Sequence, residues 1–211
     1  MARVSKEVLE KRPQEILKAL RKLYKTMSFN EITLKDISKE TSFSRPSIYN
    51  YFETKEEIFL SLLKEEYDLW NSDLEKLYQA GALSRDAFSK QLANTLSQRD
   101  YLLKIQCMNL YEIEEHSRQE RLTDFKCSYK RSMELVDLLL QQSFPQMNET
   151  QRHQFAYAFF PFMYGLYPFV YPTQKQLQAM HDADMTVEAT TIFDITYHFI
   201  KNQLNEGEKN E

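Results

Sequence analysis

The chain has 211 residues, 42% of them apolar, with three glycines and six prolines. So few turn-forming residues exclude a strand-and-turn architecture and predict a helical protein of one or two domains. Two cysteines without metal-ligand spacing, a polar N-terminal stretch and no apolar run of about 18 residues argue against a secreted or membrane-spanning protein, so we expect a cytoplasmic one.

The net charge of −4 is unevenly distributed along the chain. Residues 1–55 carry 12 Lys and Arg against 7 Asp and Glu, a net charge of +5, which leaves −9 for the remainder. A basic first quarter on an acidic body suggests that one end approaches a polyanion. A solvated basic surface explains the same distribution equally well.

Helix-start signals divide the first quarter of the chain. Apolar residues recur at helical spacing between Glu10 and Ser28, with Pro13 expected in the first turn, where a missing N–H costs least. Capping signals then follow at positions 33, 44 and 54. They are Thr33 with Asp36, Ser44 with Pro46 after it, and Thr54 with Glu57. This spacing leaves room for only two short helices before a long one begins.

The two short helices are expected to form a helix-turn-helix. Phe43 and Ile48 occupy the positions of a hydrophobic staple at the start of the second helix, which is predicted to have about seven residues. Ile37, Ile48 and Phe52 can face the first helix and form a small core. The outer face of the second helix is then free to enter the major groove of DNA.

The outer residues of this second helix suit contacts with DNA. Arg45 can bond a guanine edge with two hydrogen bonds, and Asn50 can address an adenine or a phosphate. Pro46 offers an apolar contact, for example to a thymine methyl. Candidates for phosphate contacts are Tyr49, Tyr51 and Lys55. Tyr49 is equally suited to packing inside the protein.

Residues 16–63 resemble the DNA-binding region of the TetR family of transcriptional repressors. The matching marks are Thr33 before the second helix, Ile37, the cluster of Tyr49, Tyr51 and Phe52, and Lys55 followed by acids. The family often has glycine where this chain has Met27–Ser28 and Ser42. If Ser42 required a positive φ, the cost would be about 1 kcal/mol.

The resemblance implies an all-α homodimer that binds a palindromic operator in double-stranded DNA. We expect a three-helix DNA-binding domain at residues 1–55 and a helical effector-binding and dimerisation domain at residues 56–211. The candidate DNA contacts are Thr33, Lys35, Ser44, Arg45, Pro46, Ser47, Tyr49, Asn50, Tyr51 and Lys55.

The acidic remainder of the chain reads as further helices. A long helix is predicted from Thr54 to Gly81, shorter ones after Ser84 and around residues 101–115, and a long one opened by a capping box of Ser117 and Glu120. Asn148 caps the next helix, and a last one follows Thr186. The resemblance implies that the last two long helices pair with a second subunit.

The resemblance also implies a pocket for a small-molecule effector among the middle helices. The candidate lining residues are Trp70, Tyr111, Glu112, Phe125, Tyr129 and Tyr164. Aromatic residues at helical spacing are more often ordinary core, so packing is the stronger explanation for each of them.

The segment FPFMYGLYPFVYPT, residues 160–173, combines aromatic residues with helix breakers. Pro161 predicts a kink, and Gly165 with Pro168 predicts a break soon afterwards. Such a segment can shape a cavity, form a dimer interface or rest on a membrane surface. We favour the first two, because a membrane-surface helix carries Lys and Arg on its polar face and this run has neither.

No motif for catalysis is present in the sequence. The four histidines are scattered, and metalloprotease, nucleophile-elbow, P-loop and dinucleotide motifs are missing, so we expect no enzyme activity, cofactor or metal. The leading hypothesis is a repressor released from its operator by a small hydrophobic or aromatic effector. The alternative is a helical ligand-binding or protein-interaction module that no longer reads DNA, which would place acids or aliphatics at positions 45, 47, 50 and 55. An activator remains open, since the same DNA contacts would serve it.

Overall fold

The computed structural model describes residues 6–42, 44–186 and 188–206. The regular structure of these residues is entirely α-helical, which confirms the predicted fold class. The helices are α1 (Lys6–Tyr24), α2 (Leu34–Lys39), α3 (Arg45–Ile48), α4 (Lys55–Gln79), α5 (Arg85–Ser97), α6 (Asp100–Glu115), α7 (Gln119–Ser143), α8 (Glu149–Val170), α9 (Gln174–Asp182) and α10 (Ile192–Glu206).

The first helix starts earlier than predicted. α1 begins at Lys6, so Pro13 lies inside the helix and the prediction that it marks the first turn is wrong. Proline in a helix interior removes one backbone hydrogen bond. The burial of Ile16, Leu20 and Tyr24 on the inner face of α1 offsets that loss, since helices in proteins owe most of their stability to packing.

The short helices α2 and α3 begin where the capping signals place them. Thr33 and Asp36 form the predicted capping box at the start of α2. Ser44 occupies the N-cap position of α3, but its hydroxyl caps no backbone amide. α3 has four residues instead of about seven, because the amides of Tyr51 and Phe52 both donate to the Ile48 carbonyl and close the segment as a turn. Phe43, the other member of the predicted staple, lies outside the described residues.

Two of the later capping predictions are wrong in part. The Thr54 hydroxyl accepts the Glu57 amide at 3.2 Å, as expected, but the Glu57 carboxylate accepts the amide of Glu53. At the start of α7, the hydroxyl of Ser117 donates to the Ile113 carbonyl at 2.7 Å and caps nothing. The carboxylate of Glu57 accepts the amide of Arg118 instead, a partner distant in sequence that no local pattern reveals.

The C-terminal region contains one helix more than predicted. α8 begins at Asn148, as expected, which forms a capping box with Gln151, and the helix runs through Pro161 and Pro168 and ends at Val170, two residues after Pro168. Its buried aromatic face holds the backbone helical across both prolines. The sequence analysis missed α9, although Thr173 and Gln176 form a capping box that marks its start.

The chain folds as two compact units. The first unit contains Met1–Glu65 and Asn109–Lys126, and the second contains Glu66–Met108 and Cys127–Glu211. The rings of Tyr24 and Phe29 pack edge-on against Phe59 in the core of the first unit. In the second unit, Trp70 lies fully buried beside Phe159 and Phe160, and α10 packs along α5.

Candidate DNA-binding surface

The helix-turn-helix is held by a small apolar core. Ile37 of α2, Ile48 of α3 and Phe52 after α3 are buried, as the sequence predicts. Because these three side chains face inward, the opposite side of α3 is left to solvent. The predicted contact residues there are exposed in the case of Ser44, Arg45, Pro46, Tyr49 and Asn50 and half-buried in the case of Ser47 and Tyr51.

Arg45 is the best-placed side chain for reading a base. It lies exposed at the first position of α3, and its Nη2 donates to the Tyr49 hydroxyl at 3.0 Å. Its guanidinium carbon also lies 5.8 Å from the centre of the Tyr49 ring. Tyr49 is 46% exposed, so it serves on the surface as a support for Arg45 and not as core packing. A guanidinium held in this way loses less conformational freedom on binding.

Lys55 is more constrained than a free phosphate contact would be. Its Nζ donates to the backbone carbonyl of Phe29 at 2.9 Å and lies 4.1 Å from the centre of the Phe29 ring. An ammonium carries three N–H donors, so donors remain for a phosphate. Lys55 therefore links the loop before α2 to the start of α4 as well as supplying positive charge.

A surface depression of the first unit joins four of the predicted contacts. It has a volume of about 580 Å³, and its lining includes Thr33, Lys35, Arg45 and Lys55. These residues come from the start of α2, the start of α3 and the start of α4. Two Lys and one Arg outnumber the one acid of the lining, Glu56, and this excess of positive charge favours an anion. The structure thus brings together side chains that are up to 22 positions apart in the sequence.

The start of α2 is organised by Asp36. Its carboxylate accepts hydrogen bonds from Lys39 Nζ at 2.8 Å and from the Thr33 hydroxyl at 2.5 Å. These hydrogen bonds lower the pKa of Asp36 to about 2, so the carboxylate is ionised at neutral pH. Thr33 is exposed, but its hydroxyl is engaged as a cap, which makes it first a structural residue of this surface.

Two serines occupy the places where the resemblance leads one to expect glycine. Ser42 donates its amide and its hydroxyl to the Glu15 carboxylate, and Ser28 does the same to Glu31. Among the described residues, positive φ occurs only at Gly81 and Asp184, so Ser42 carries no left-handed strain. Carboxylates bonded to the serines hold these two turns without the backbone freedom of glycine.

The candidate effector residues fall into different surroundings. Trp70 is buried in the second unit and donates its indole N–H to the Thr95 hydroxyl at 3.0 Å. Tyr129 shares its aromatic cluster, since the Phe160 ring lies 5.4 Å from Tyr129 and 6.1 Å from Trp70. Tyr164 is exposed on α8.

The remaining candidates belong to the first unit. Phe125 is buried there, whereas Tyr111 is 86% exposed and Glu112 is exposed as well. The structure therefore brings Trp70 and Tyr129 together and does not gather the six candidates around one cavity within a unit. The role of these residues in binding an effector stays a prediction.

The second unit has a groove whose lining residues the sequence analysis did not name, although it allowed for a cavity shaped by residues 160–173. This groove, of about 640 Å³, is lined mainly by apolar residues from α8, α9, the segment before α10 and α10 itself, with Glu188 among its polar residues. Its lining includes Gly165, Pro168, Phe169, Met180 and Met185. The cluster of proline and aromatic residues at 160–173 and the capping box that starts α9 were the available signals.

The described part of the chain holds neither a cluster of metal ligands nor a membrane-spanning helix. No three His, Cys, Asp or Glu side chains there converge as metal ligands. Nor does any helix within those ranges combine the length and the apolar character needed to cross a membrane.

Comparison with known sequences identifies both parts of the chain. Residues 16–62 match the family of bacterial regulatory proteins named tetR, and residues 64–192 match the tetracyclin repressor-like C-terminal domain. The regulator YfiR of Bacillus subtilis, an uncharacterized HTH-type transcriptional regulator, is 38% identical over 66 residues, or 31% of this chain and 32% of that protein. YuxN of the same organism, described in the same way, is 28% identical over 98 residues, or 44% and 34%. The matches thus span about a third of the length of each relative.

Solved structures share the fold. FadR from Bacillus subtilis in complex with stearoyl-CoA has a TM-score of 0.60 at 13% identity, covering 90% of this chain and 96% of that one. PfmR from Thermus thermophilus, a TetR family transcriptional regulator, has a TM-score of 0.57 at 13% identity, covering 90% and 97%. Together with the matched sequence families, these likenesses show that the chain belongs to the TetR family of DNA-binding transcriptional regulators.

Proposed function

We propose that the protein is a homodimeric repressor that binds a palindromic operator through α3 and leaves it when a small hydrophobic effector binds. The observation that carries the proposal is the exposed Arg45, held by Tyr49 at the start of a helix whose inner residue Ile48 is buried. An Arg at such a position can pair with guanine in the major groove. Asn50, also exposed, supplies a second contact to a base or a phosphate.

A homodimer through α8 and α10 is the second part of the proposal. The outer face of α8 carries the exposed residues Tyr157, Pro161 and Tyr164 at helical spacing, and Phe169 is exposed near the end of the helix. On the neighbouring α10, the ring of Phe199 stacks on the ring of Phe162 of α8, with 3.9 Å between the ring centres. This contact joins α8 and α10 into one surface. Two-fold pairing of this surface would present two α3 helices to half-sites about 34 Å apart.

A hydrophobic effector is the third part. The related FadR structure contains stearoyl-CoA, a ligand with a long apolar chain. In the present chain, the groove beside Phe169 offers a largely apolar surface of matching chemistry, and the aromatic cluster around Trp70 and Tyr129 is buried in the same unit. An effector releases the operator only to the extent that it binds the non-DNA conformation more tightly.

Selection of bound duplexes from a random pool tests the DNA-binding part of the proposal directly. We expect enrichment of a palindromic sequence and an affinity that falls steeply with salt, since phosphate contacts release counterions. Arg45→Ala should relax the preference at one base pair of each half-site, at a cost of about 1–3 kcal/mol. Lys55→Ala should weaken binding to all sequences alike.

Equal effects of the two substitutions on every duplex would contradict the role given to Arg45. Failure of the purified protein to enrich any sequence would favour the alternative module that no longer reads DNA. A reporter gene placed behind the selected operator separates the two regulatory outputs: a repressor lowers expression and an activator raises it. Addition of long-chain acyl compounds to the anisotropy titration then tests release by an effector.

A further inference from the structure

The segment between α6 and α7, together with the first turn of α7, contacts the residues that directly follow α3. Arg121 Nη2 donates to the Tyr51 carbonyl at 2.9 Å, and its guanidinium carbon lies 5.2 Å from the centre of the Phe52 ring. The Thr54 hydroxyl donates to the His116 carbonyl at 3.1 Å. Tyr51 and Phe52 directly follow α3, so these contacts act where the recognition helix ends. We call residues 116–121 together with Glu57 the clasp.

The centre of the clasp is a buried carboxylate with a full set of partners. Glu57 has no exposed surface and accepts Arg118 Nε at 2.5 Å and Arg118 Nη2 at 2.9 Å. It also accepts the backbone amides of Arg118 at 3.2 Å and of Glu53 at 2.8 Å. Burial acts to raise the pKa of Glu57, but these hydrogen bonds outweigh it and hold the pKa below its ordinary value. The buried group is therefore an ion-paired carboxylate.

The clasp can affect DNA recognition because α3 is too short to hold its own orientation. α3 has four residues, which is too short for its own hydrogen bonds to fix its orientation. Glu57 lies in the first turn of α4, and Arg121 bonds the backbone between α3 and α4. The clasp therefore fixes the segment from which Arg45 and Asn50 project. Base contacts tolerate little displacement, since side chains of a binding site must be held close to their productive geometry.

We propose that Glu57, Arg118 and Arg121 are positioning residues for operator recognition, acting through the backbone after α3 and not by touching DNA. This inference rests on the proposed reading of DNA by α3. All of the contacts involved lie within the first unit, so the inference requires nothing of the second unit.

The sign of one substitution separates positioning from simple electrostatics. Glu57→Gln removes a negative charge from a DNA-binding unit, so a purely Coulombic effect would tighten binding to any duplex. If the clasp positions α3, the same substitution should instead weaken binding to the selected operator by about tenfold or more, with little loss on random DNA. Glu75→Gln is the matched control, because Glu75 makes an exposed ion pair with Arg131 at 2.9 Å in the second unit.

A second, charge-conserving variant guards against misfolding of the first. Arg121→Lys keeps the positive charge but loses the planar fork that reaches the Tyr51 carbonyl while covering the Phe52 ring. We expect it to lower the ratio of operator to random-DNA affinity and to speed hydrogen exchange at the Tyr51 and Phe52 amides. Arg131→Lys, the matched control, should change neither quantity.

The outcomes divide cleanly. Operator binding by Glu57→Gln that is as tight as or tighter than that of the wild-type protein, together with an unchanged ratio for Arg121→Lys, overturns the positioning role while the wild-type operator affinity stands. If the wild-type protein itself selects no duplex, the proposed function is wrong, and the positioning role that rests on it is wrong as well. Reduced selectivity in both variants, with normal controls, supports the inference.

Discussion

Two exposed helix faces of this protein have opposite chemistry. The outer side of α3 and of the turn after it presents the polar side chains of Arg45 and Asn50, whereas the outer face of α8 presents aromatic ones, with Tyr157 74% and Tyr164 38% exposed. A cationic and amide-bearing face suits a polyanion, and an exposed apolar stripe suits another protein surface. Exposure alone does not identify a partner; the kind of group exposed does.

The two faces also differ in how they are supported. α8 has 22 residues, its own capping box and a row of buried aromatic side chains. α3 has four residues and depends on its neighbours, among them Ile37 beneath it and Arg121 at its end. We therefore expect the α8 face to be damaged only by changes on it, and the α3 face also by changes that never touch DNA.

The largest effect is expected from charge placed on the α8 face. Replacing both Tyr157 and Tyr164 by Asp should convert the proposed dimer into monomers, because like charges would meet across a two-fold interface. Operator affinity should then fall by about 100-fold or more, since the two half-sites are no longer engaged together. Analytical ultracentrifugation and fluorescence anisotropy measure the two quantities.

Tyr111→Asp is the control for this pair, because Tyr111 is an exposed aromatic residue of α6 and lies outside the α8 face. It should leave both the assembly state and the operator affinity unchanged. A double variant that stays dimeric would show that another surface mediates assembly.

A smaller loss of operator affinity is expected from Asn50→Ala, and its dependence on DNA sequence shows which group Asn50 contacts. If its amide bonds an adenine, Asn50→Ala should lower operator affinity by about tenfold and relax the preference at one position of each half-site. If it bonds a phosphate, the loss should be the same for all sequences. Repeating the selection from a random pool with the variant distinguishes the two cases. Asn202→Ala, on an exposed position of α10, should match the wild-type protein.

The sequence predicted these two faces to different extents. The α3 face followed from local signals, because Pro46 marks the start of the helix and the apolar Ile48 indicates its inner side, as the buried Ile48 and the exposed Arg45 show. Local signals failed where the partner is distant in sequence. The start of α7 depends on Glu57, and the spacing of Ser117 and Glu120 suggested a cap that does not form.

Proline was the other source of error. Pro13 was expected in the first turn of a helix, yet it lies in the interior of α1. The cost of an interior proline, about 3 kcal/mol, is a local one, whereas the burial of Ile16 and Leu20 on the same helix is decided by the whole fold. The effector candidates show the same limit, since periodicity cannot distinguish the buried Trp70 from the exposed Tyr111.

Acid should affect the supports of the α3 face. Hydrogen bonds lower the pKa of Asp36 from 3.8 to about 2, and the pKa of Glu57 also lies below its ordinary value of 4.5. A carboxylate with a lowered pKa stabilises the fold above its unfolded-state pKa, and this contribution is lost as the pH falls toward its folded-state pKa. The first unit should therefore lose stability as the pH drops below about 4.5.

Amide NMR signals of α2 and α3 report this loss directly, since the single tryptophan, Trp70, lies in the second unit. In Glu57→Gln the decline should be shallower, because one of the titrating carboxylates of the first unit is gone. Identical pH profiles for the variant and the wild-type protein would show that the ion pair with Arg118 contributes nothing to acid sensitivity.

The smallest effects are expected from removing one N-cap beside each face. Thr33 caps α2 beside the DNA-binding surface, and Asn148 caps α8. Substitution of either by Ala should cost about 1 kcal/mol of stability, the usual value of an N-cap. Thr33→Ala should in addition weaken operator binding, because a six-residue helix that frays takes Lys35 with it, whereas Asn148→Ala should leave operator binding intact. Chemical denaturation and anisotropy on the same two variants test this, and equal operator affinities would mean that α3 tolerates a loosened α2.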